Sequence, residues 1–192
     1  AVKIFYDYWE NATNNELIGA IGGNLLNSDR TITHSFGTFP TFYSLLIFFI
    51  RRFLVLNLRL IIKVFHRNSK VIIKKEKLDK VLGEVDYITG AALFVKNNSD
   101  AYFDERFFLY FEETDMEFKM AKKGKKRILI DAPEIIHLQG ESDNESPSSI
   151  GAYYASFSKI QLDLSAVKYI RFNVGRLQSN IIKTILFICW IH

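Results

Sequence analysis

The stretch FYSLLIFFIRRFLVLNLRLIIKVF, residues 42–65, constrains the fold of this chain more than any other. It is long enough and apolar enough to span a bilayer, yet Arg51, Arg52, Arg59 and Lys63 interrupt it. Charges at the centre of a span are costly in hydrocarbon, so a simple transmembrane helix is not expected. Two placements remain. The helix can lie in a membrane interface with its cations reaching the headgroups. Equally, it can be a buried helix whose long cationic side chains snorkel to the surface.

The rest of the chain reads as alternating short elements. Residues 2–13 predict a helix with Val2, Phe5, Tyr8 and Trp9 on one face. LIGAIGG, residues 17–23, suits a buried strand, and Asn27-Ser28-Asp29 supplies a turn toward a second one. VDYITGAALFV, residues 85–95, reads as a central strand; RILIDAP (127–133) and EIIHL (134–138) read as two short strands. GESDNESPSSIG, residues 140–151, is a polar loop, followed by aromatic and basic helical stretches. NIIKTILFICWI, residues 180–191, is too short to span a bilayer and suits a second interfacial contact. No internal repeat is seen. The single cysteine, Cys189, excludes a disulfide framework or a cysteine-rich zinc site and fits a reducing compartment. AVKIFYDYWENATNNE lacks the basic start and apolar stretch of a secretory signal.

Charge is unevenly spread within a net +4. Residues 51–80 are strongly basic, residues 81–121 are strongly acidic, and KKGKKR at 122–127 is basic again. Such asymmetry suits an acidic pocket beside a surface that attracts anions, although solvated faces of opposite sign would read the same way. The acids peak in FLYFEETDMEFKMAKKG, where Glu112, Glu113, Asp115 and Glu117 crowd together. Thr114 and Glu117 have capping-box spacing, which predicts a helix from Thr114 to about Gly124 and accounts for Asp115 and Glu117 as helix-start residues. It leaves Glu112 and Glu113 unexplained beside the aromatic wall of Phe107, Phe108, Tyr110 and Phe111. Carboxylates crowded against apolar surface gain proton affinity, which is how a general base is tuned.

TGAALFV and YFDERFFLYFEETDMEFKMAKKGKKRILIDAPEIIHLQGES together resemble the second half of the catalytic domain in family 2 inverting glycosyltransferases, above all the rhamnosyltransferase-like members that build bacterial surface polysaccharides. The features that carry the resemblance are Gly90, Phe103-Asp104-Glu105, Phe107-Phe108, Tyr110, Glu112-Glu113-Thr114-Asp115, Gly124, His137, Gly140 and Ser142. IGAIGGNLLNSDRTITHSFGTFP resembles the segment that precedes the acceptor region. The resemblance covers roughly residues 15–40 and 85–142.

What the resemblance implies is an α/β protein: a partial GT-A (nucleotide-diphospho-sugar transferase) fold with added amphipathic helices. Residues 1–142 would be the C-terminal portion of the catalytic domain, with a basic and apolar helical insertion at 42–80. Residues 143–192 would be a helical, membrane-associated extension. Such an enzyme transfers a sugar from a nucleotide-sugar donor to a lipid-linked or cell-surface glycan, with inversion. By position Glu113 would be the general base, where many members carry Asp. Glu112, Gly90 and Asp115 would lie on the acceptor side, and His137 would contact a divalent metal, Mn2+ or Mg2+. Asp104 and Glu105 would shape the loop. The expected place is the cytoplasmic face of the cell membrane, against an anionic surface. No Asp-x-Asp occurs in the chain. The sequence therefore reads as a truncated enzyme lacking most of its donor half. The rival reading is a non-catalytic peripheral membrane or partner-binding remnant. No nucleic acid is expected, because the basic run at 63–80 has no stacking platform or recognisable motif.

Overall fold

The computed structural model describes residues 1–65, 79–138 and 157–191. The Lys/Arg-rich run at 66–78, the polar loop at 140–151, and with it Gly140 and Ser142, lie outside these residues. The chain divides into two compact units, residues 1–39 with 77–161 and residues 40–76 with 162–192.

The first unit is mixed α/β. Helix α1 (Val2–Asn11) leads into β1 (Ile18–Leu26), and β2 (Phe36–Gly37) follows. After α2 (Phe42–Phe65) of the other unit come β3 (Gly83–Val85), β4 (Tyr87–Ile88) and β5 (Leu93–Val95), then α3 (Glu112–Lys122) and β6 (Lys126–Ile136). The main sheet has the order β3-β6-β1-β5, and β2 pairs with β4 in a small second sheet. The central pair, β1 and β6, is parallel; β5 on β1 and β3 on β6 are antiparallel. A strand pair with β1 inside the sheet must be apolar or small on both faces, and IGAIGGNLL is both. Its alternate residues serve opposite faces. Ile21 meets Phe5 and Trp9 of α1 together with Ile130, while Ala20 meets Ile88 and Leu129 on the other side.

Three expectations change. Residues 85–95 do not form one central strand: Asp86 and the one-turn helix Gly90–Ala92 break them into the end of β3, all of β4 and β5. Of these, β3 and β5 are the two edges of the main sheet, and β4 belongs to the small one. The two expected short strands after Arg127 are one strand, β6, with a bulge. Gly23 faces Ile130 and Leu25 faces Ile135, so residues 131–134 bow out of register around Pro133, which has no N–H to give the ladder. On α1 only Phe5 and Trp9 are buried, while Val2 and Tyr8 are exposed.

The second unit contains α2 (Phe42–Phe65), most of α4 (Phe157–Asn173) and α5 (Arg176–Ile191). Helices α2 and α5 pack together, and the α4–α5 corner is tied by the Ser179 hydroxyl donating to the Val167 carbonyl at 3.0 Å. Arg52 Nη1 lies 2.8 and 2.9 Å from the two carboxylate oxygens of Asp163, with both side chains nearly buried. Snorkelling therefore does not describe Arg52; a buried partner satisfies it instead. No described helix is long and apolar enough to cross a membrane.

Candidate functional site: a carboxylate pair at the start of a helix

Helix α3 begins three residues earlier than the capping-box spacing predicts. Phe111 occupies the N-cap, and the Asp115 N–H already donates to its carbonyl at 2.8 Å. Thr114 is thus inside the helix and buried. Glu117 does not reach back to cap anything; it is 0% exposed and points into the protein. Glu112 and Glu113 consequently sit in the first turn, where exposed N–H groups and the helix dipole favour anions. Tyr110 and Phe111, just before them, have φ of 66° and 67°. Two consecutive aromatic residues in the left-handed region cost on the order of 1–3 kcal/mol each, and such strain collects at functional sites.

The pair is half-buried, and Glu112 Oε2 and Glu113 Oε2 are buried atoms without a hydrogen-bond partner among the described residues. Burial pushes the Glu113 carboxyl above its ordinary value of 4.5, and the neighbouring charge of Glu112 pushes it further. The N–H groups of Glu113 itself, Gly90 and Thr114 act in the opposite direction by favouring the anion. The turn that ends at the exposed Gly90 is tied to the same helix through the Ile88 N–H on Glu117.

Beneath the pair lies a layer that sequence reasoning did not assign. Both oxygens of Glu117 face the Ile88 N–H, at 3.1 and 3.0 Å. Burial drives the Glu117 carboxyl up to about 9; the Ile88 N–H and the Arg127 charge oppose this, and Glu113 adds to it. The Tyr87 phenol is likewise pushed up, first by burial and then by Glu113 and Glu117. Its ring covers Gly37 so closely that a Cβ there would come within 2.5 Å of the hydroxyl. Phe39 stacks on Tyr87 with centroids 6.3 Å apart, meets Phe118 edge-on at 5.1 Å, and has the Arg127 guanidinium 5.3 Å over its face. Arg127 Nε donates to the Asp86 carbonyl at 2.7 Å, and the Asp86 carboxylate receives the Phe39 N–H at 3.0 Å. The signal that could have revealed this layer was present: Arg127 opens an apolar strand, and Glu117 follows Met116 on an otherwise inward-facing stretch of helix.

The other predicted residues fall elsewhere. Asp115 is buried against Lys119, at 2.6 Å, and Lys119 also reaches Asp104 at 3.3 Å. Asp104 closes its own loop by accepting from the Arg106 N–H at 3.1 Å and from Arg106 Nε at 2.8 Å, and its hydrogen bonds with Arg106 hold its carboxyl well below the usual range. His137 follows β6, with its backbone N–H on the Leu26 carbonyl at 2.8 Å. Among the described residues no group of three or more His, Cys, Asp or Glu could hold a metal ion, so those residues do not by themselves fit a divalent metal. A cavity of about 170 Å³ sits at the β6 bulge, lined by Asn24, Lys80, Asp131 and Glu134 among others. Its polar groups are already engaged: Asn24 exchanges two hydrogen bonds with the Val81 backbone, Lys80 pairs with Asp131, and Arg30 with Glu134.

No family model matches the chain, and no solved structure matches it. It is similar to a curated protein of Mycobacterium tuberculosis, the N-acetylglucosaminyl-diphospho-decaprenol L-rhamnosyltransferase of strains CDC 1551 / Oshkosh and ATCC 25618 / H37Rv. The identity is 26% over 87 residues, which is 43% of this chain and 28% of the relative. The chain thus spans little more than a quarter of the curated relatives it matches. It has a distant, glycosyltransferase-like relationship over part of its length.

Proposed function

We propose that the chain supplies the acceptor side of an inverting glycosyltransferase of the family 2 type, with Glu113 as general base. The observation that carries this reading is the Glu112–Glu113 pair, which presents buried, unpartnered carboxylate oxygens at a strained helix start. A base for a sugar hydroxyl must be anionic, held in place and raised in proton affinity. Two features of Glu113 support this reading: it stands in the first turn of α3, where N–H groups favour an anion, and burial and then Glu112 raise its proton affinity. As it takes the acceptor proton, the hydroxyl oxygen attacks the anomeric carbon and the nucleoside diphosphate leaves. Glu112 and Gly90 flank the acceptor. Asp115 would contribute only by exchanging its Lys119 partner. The resemblance would place Mn2+ or Mg2+ at the donor with His137 among its contacts, but the described residues do not by themselves fit a divalent metal, and no step here depends on it.

The relative's name includes a polyprenyl-diphosphate-linked sugar acceptor, and a lipid-linked glycan is the acceptor class we assign. The helical unit suits a substrate of that kind. Tyr43, Ile47, Ile50 and Leu54 form one exposed apolar stripe on α2, and Leu177, Ile181 and Ile188 form another on α5. Across residues 40–65 and 162–191 the sequence has a single acid, Asp163, which Arg52 holds. Against it stand Arg51, Arg59, Lys63, Lys168, Arg171, Arg176 and Lys183, so the unit is strongly cationic. An apolar stripe within a cationic unit is complementary to an anionic bilayer, and the inner face of the cell membrane is the place this reading assigns.

The test is transfer of labelled sugar from a nucleoside-diphosphate-rhamnose to a polyprenyl-diphosphate-linked N-acetylglucosamine. Glu113→Gln should lower turnover by about 10²–10⁴-fold, the usual contribution of a general base, with an unchanged melting temperature. Because the anion is the active form, wild-type turnover should rise with pH along a limb lying above 4.5. Turnover of Glu113→Gln equal to wild type removes Glu113 from the mechanism. Vesicle binding without any transfer would favour the non-catalytic remnant.

A further inference from the structure

We infer that Glu117 is a positioning residue for the Glu113 site: with both oxygens on the Ile88 N–H it fixes the turn from Ile88 to Gly90 against the face of α3 that carries Glu113. The inference rests on the reading of Glu113 as the base, but its structural half can be tested without transfer.

The turn has reason to need an anchor. It joins the end of β4 to the one-turn helix Gly90–Ala92, and Gly90 is exposed with open space where a Cβ would be. With that space open, the orientation of the turn must come from its neighbours. Three contacts supply it. Glu117 takes the Ile88 N–H, the Ser35 carbonyl takes the Thr89 N–H at 3.0 Å, and Gly22 of β1 lies directly under Ile88 and Ala92. Only the first comes from the helix that also carries Glu113. Glu113 and Glu117 are four residues apart on one face of α3, so the helix that carries the base also holds the turn, through Glu117.

The choice of a carboxyl for a completely buried position also has a consequence for charge. The groups facing Glu117 are Glu113 on its own helix, the Tyr87 phenol and Ile88 N–H on β4, and Arg127 on β6. Burial disfavours the charged form first, and the neighbouring Glu113 adds to this, while the Ile88 N–H and the Arg127 charge oppose it, so Glu117 keeps its proton at neutral pH. The sign for stability follows. The unfolded chain ionises Glu117 near 4.5, the folded one only near 9, so the folded state is progressively disfavoured as pH rises across that interval.

The experiment uses the full chain with Glu117→Gln, which keeps an acceptor for Ile88 without a titrating group, and Glu117→Leu, which keeps the bulk and removes the acceptor. Melting temperature is followed from pH 5 to 9, and amide exchange at Ile88 and Gly90 by NMR. The wild type should lose stability over that range and Glu117→Gln should lose distinctly less. Exchange at both amides should be at least tenfold faster in Glu117→Leu and unchanged in Glu117→Gln. In the transfer assay Glu117→Leu should lower kcat with little change in KM, and the acid limb of Glu117→Gln should coincide with that of the wild type. A limb moved to lower pH would mean that Glu117 was already charged, and would overturn the inference. Parallel melting curves for wild type and Glu117→Gln would do the same, even if Glu117→Leu failed to fold. Exchange and melting results as expected, with no transfer by any variant, would uphold the anchor and sink the transferase reading alone.

Discussion

Tyr110 and Phe111 hold the left-handed conformation that is normally left to glycine, and they hold it immediately before the carboxylate pair. Because that backbone conformation starts α3, the strain and the placement of Glu112 and Glu113 are one feature. Two glycines separate the causes of such local constraint. Gly124, after α3, has φ of 74° and open space where a methyl group would sit, so only backbone strain opposes a side chain there. Gly124→Ala should cost about 1–2 kcal/mol in urea unfolding and leave transfer unaffected. At Gly22 the conformation is ordinary, but a Cβ would lie 2.4 Å from Ile88 Cγ2 and 2.9 Å from the Ala92 carbonyl oxygen. Gly22→Ala should cost about 1–3 kcal/mol by overpacking, and should lower kcat as well, because the turn it displaces carries Gly90. Equal catalytic effects from the two substitutions would contradict this assignment.

At the scale of elements, α3 and β6 show how a local pattern is overruled. Thr114 and Glu117 have the spacing of a capping box, yet both are buried, and the helix starts from Phe111 instead. Glu117 accepts from the Ile88 N–H instead of capping the helix. Pro133 marks a break in sequence, but the parallel partner β1 continues past it and pairs again with Ile135 and Ile136, so the break becomes a bulge. Helix α2 follows its sequence closely, running Phe42–Phe65 as the apolar stretch predicts. What the sequence left open was where its arginines go. Arg52 is inside, against Asp163. Asp163→Ala should therefore destabilise the helical unit by about 3–5 kcal/mol, because it strands a buried guanidinium; replacing both partners with apolar residues of similar size should recover most of that loss. Thermal unfolding of the single and double variants decides it.

For the whole molecule, the proposed function assigns chemistry to one compact unit and location to the other. The mixed-sheet unit holds the carboxylate pair, and the helical unit carries the exposed apolar stripes and the cationic surplus. Binding to vesicles of anionic phospholipid should be strong at low salt and weaken steeply toward high salt, while neutral vesicles should bind poorly, since roughly 1 kcal/mol per surface cation comes from the anionic leaflet. Leu54→Glu combined with Ile188→Glu should abolish co-sedimentation without changing the melting temperature, as both residues are exposed. Unaltered sedimentation of that double variant would show that these stripes do not enter the bilayer.

The sequence by itself determined the helix at 42–65, a first helix expected over 2–13 and found over 2–11, the buried glycine-rich strand and the acidic helix start, because each depends on periodicity, turn residues or local charge. The α/β character came from the family resemblance. The sequence also singled out Glu112 and Glu113, since no local rule accounted for them. Only the tertiary structure decided which carboxylates share a site. Ile88 reaches Glu117 across more than twenty residues, Asp115 turns away to Lys119, and Arg52 finds Asp163 across more than a hundred. These pairings are set by strand order and by burial, which raises the cost of every unpaired charge and so forces partners that no local pattern announces.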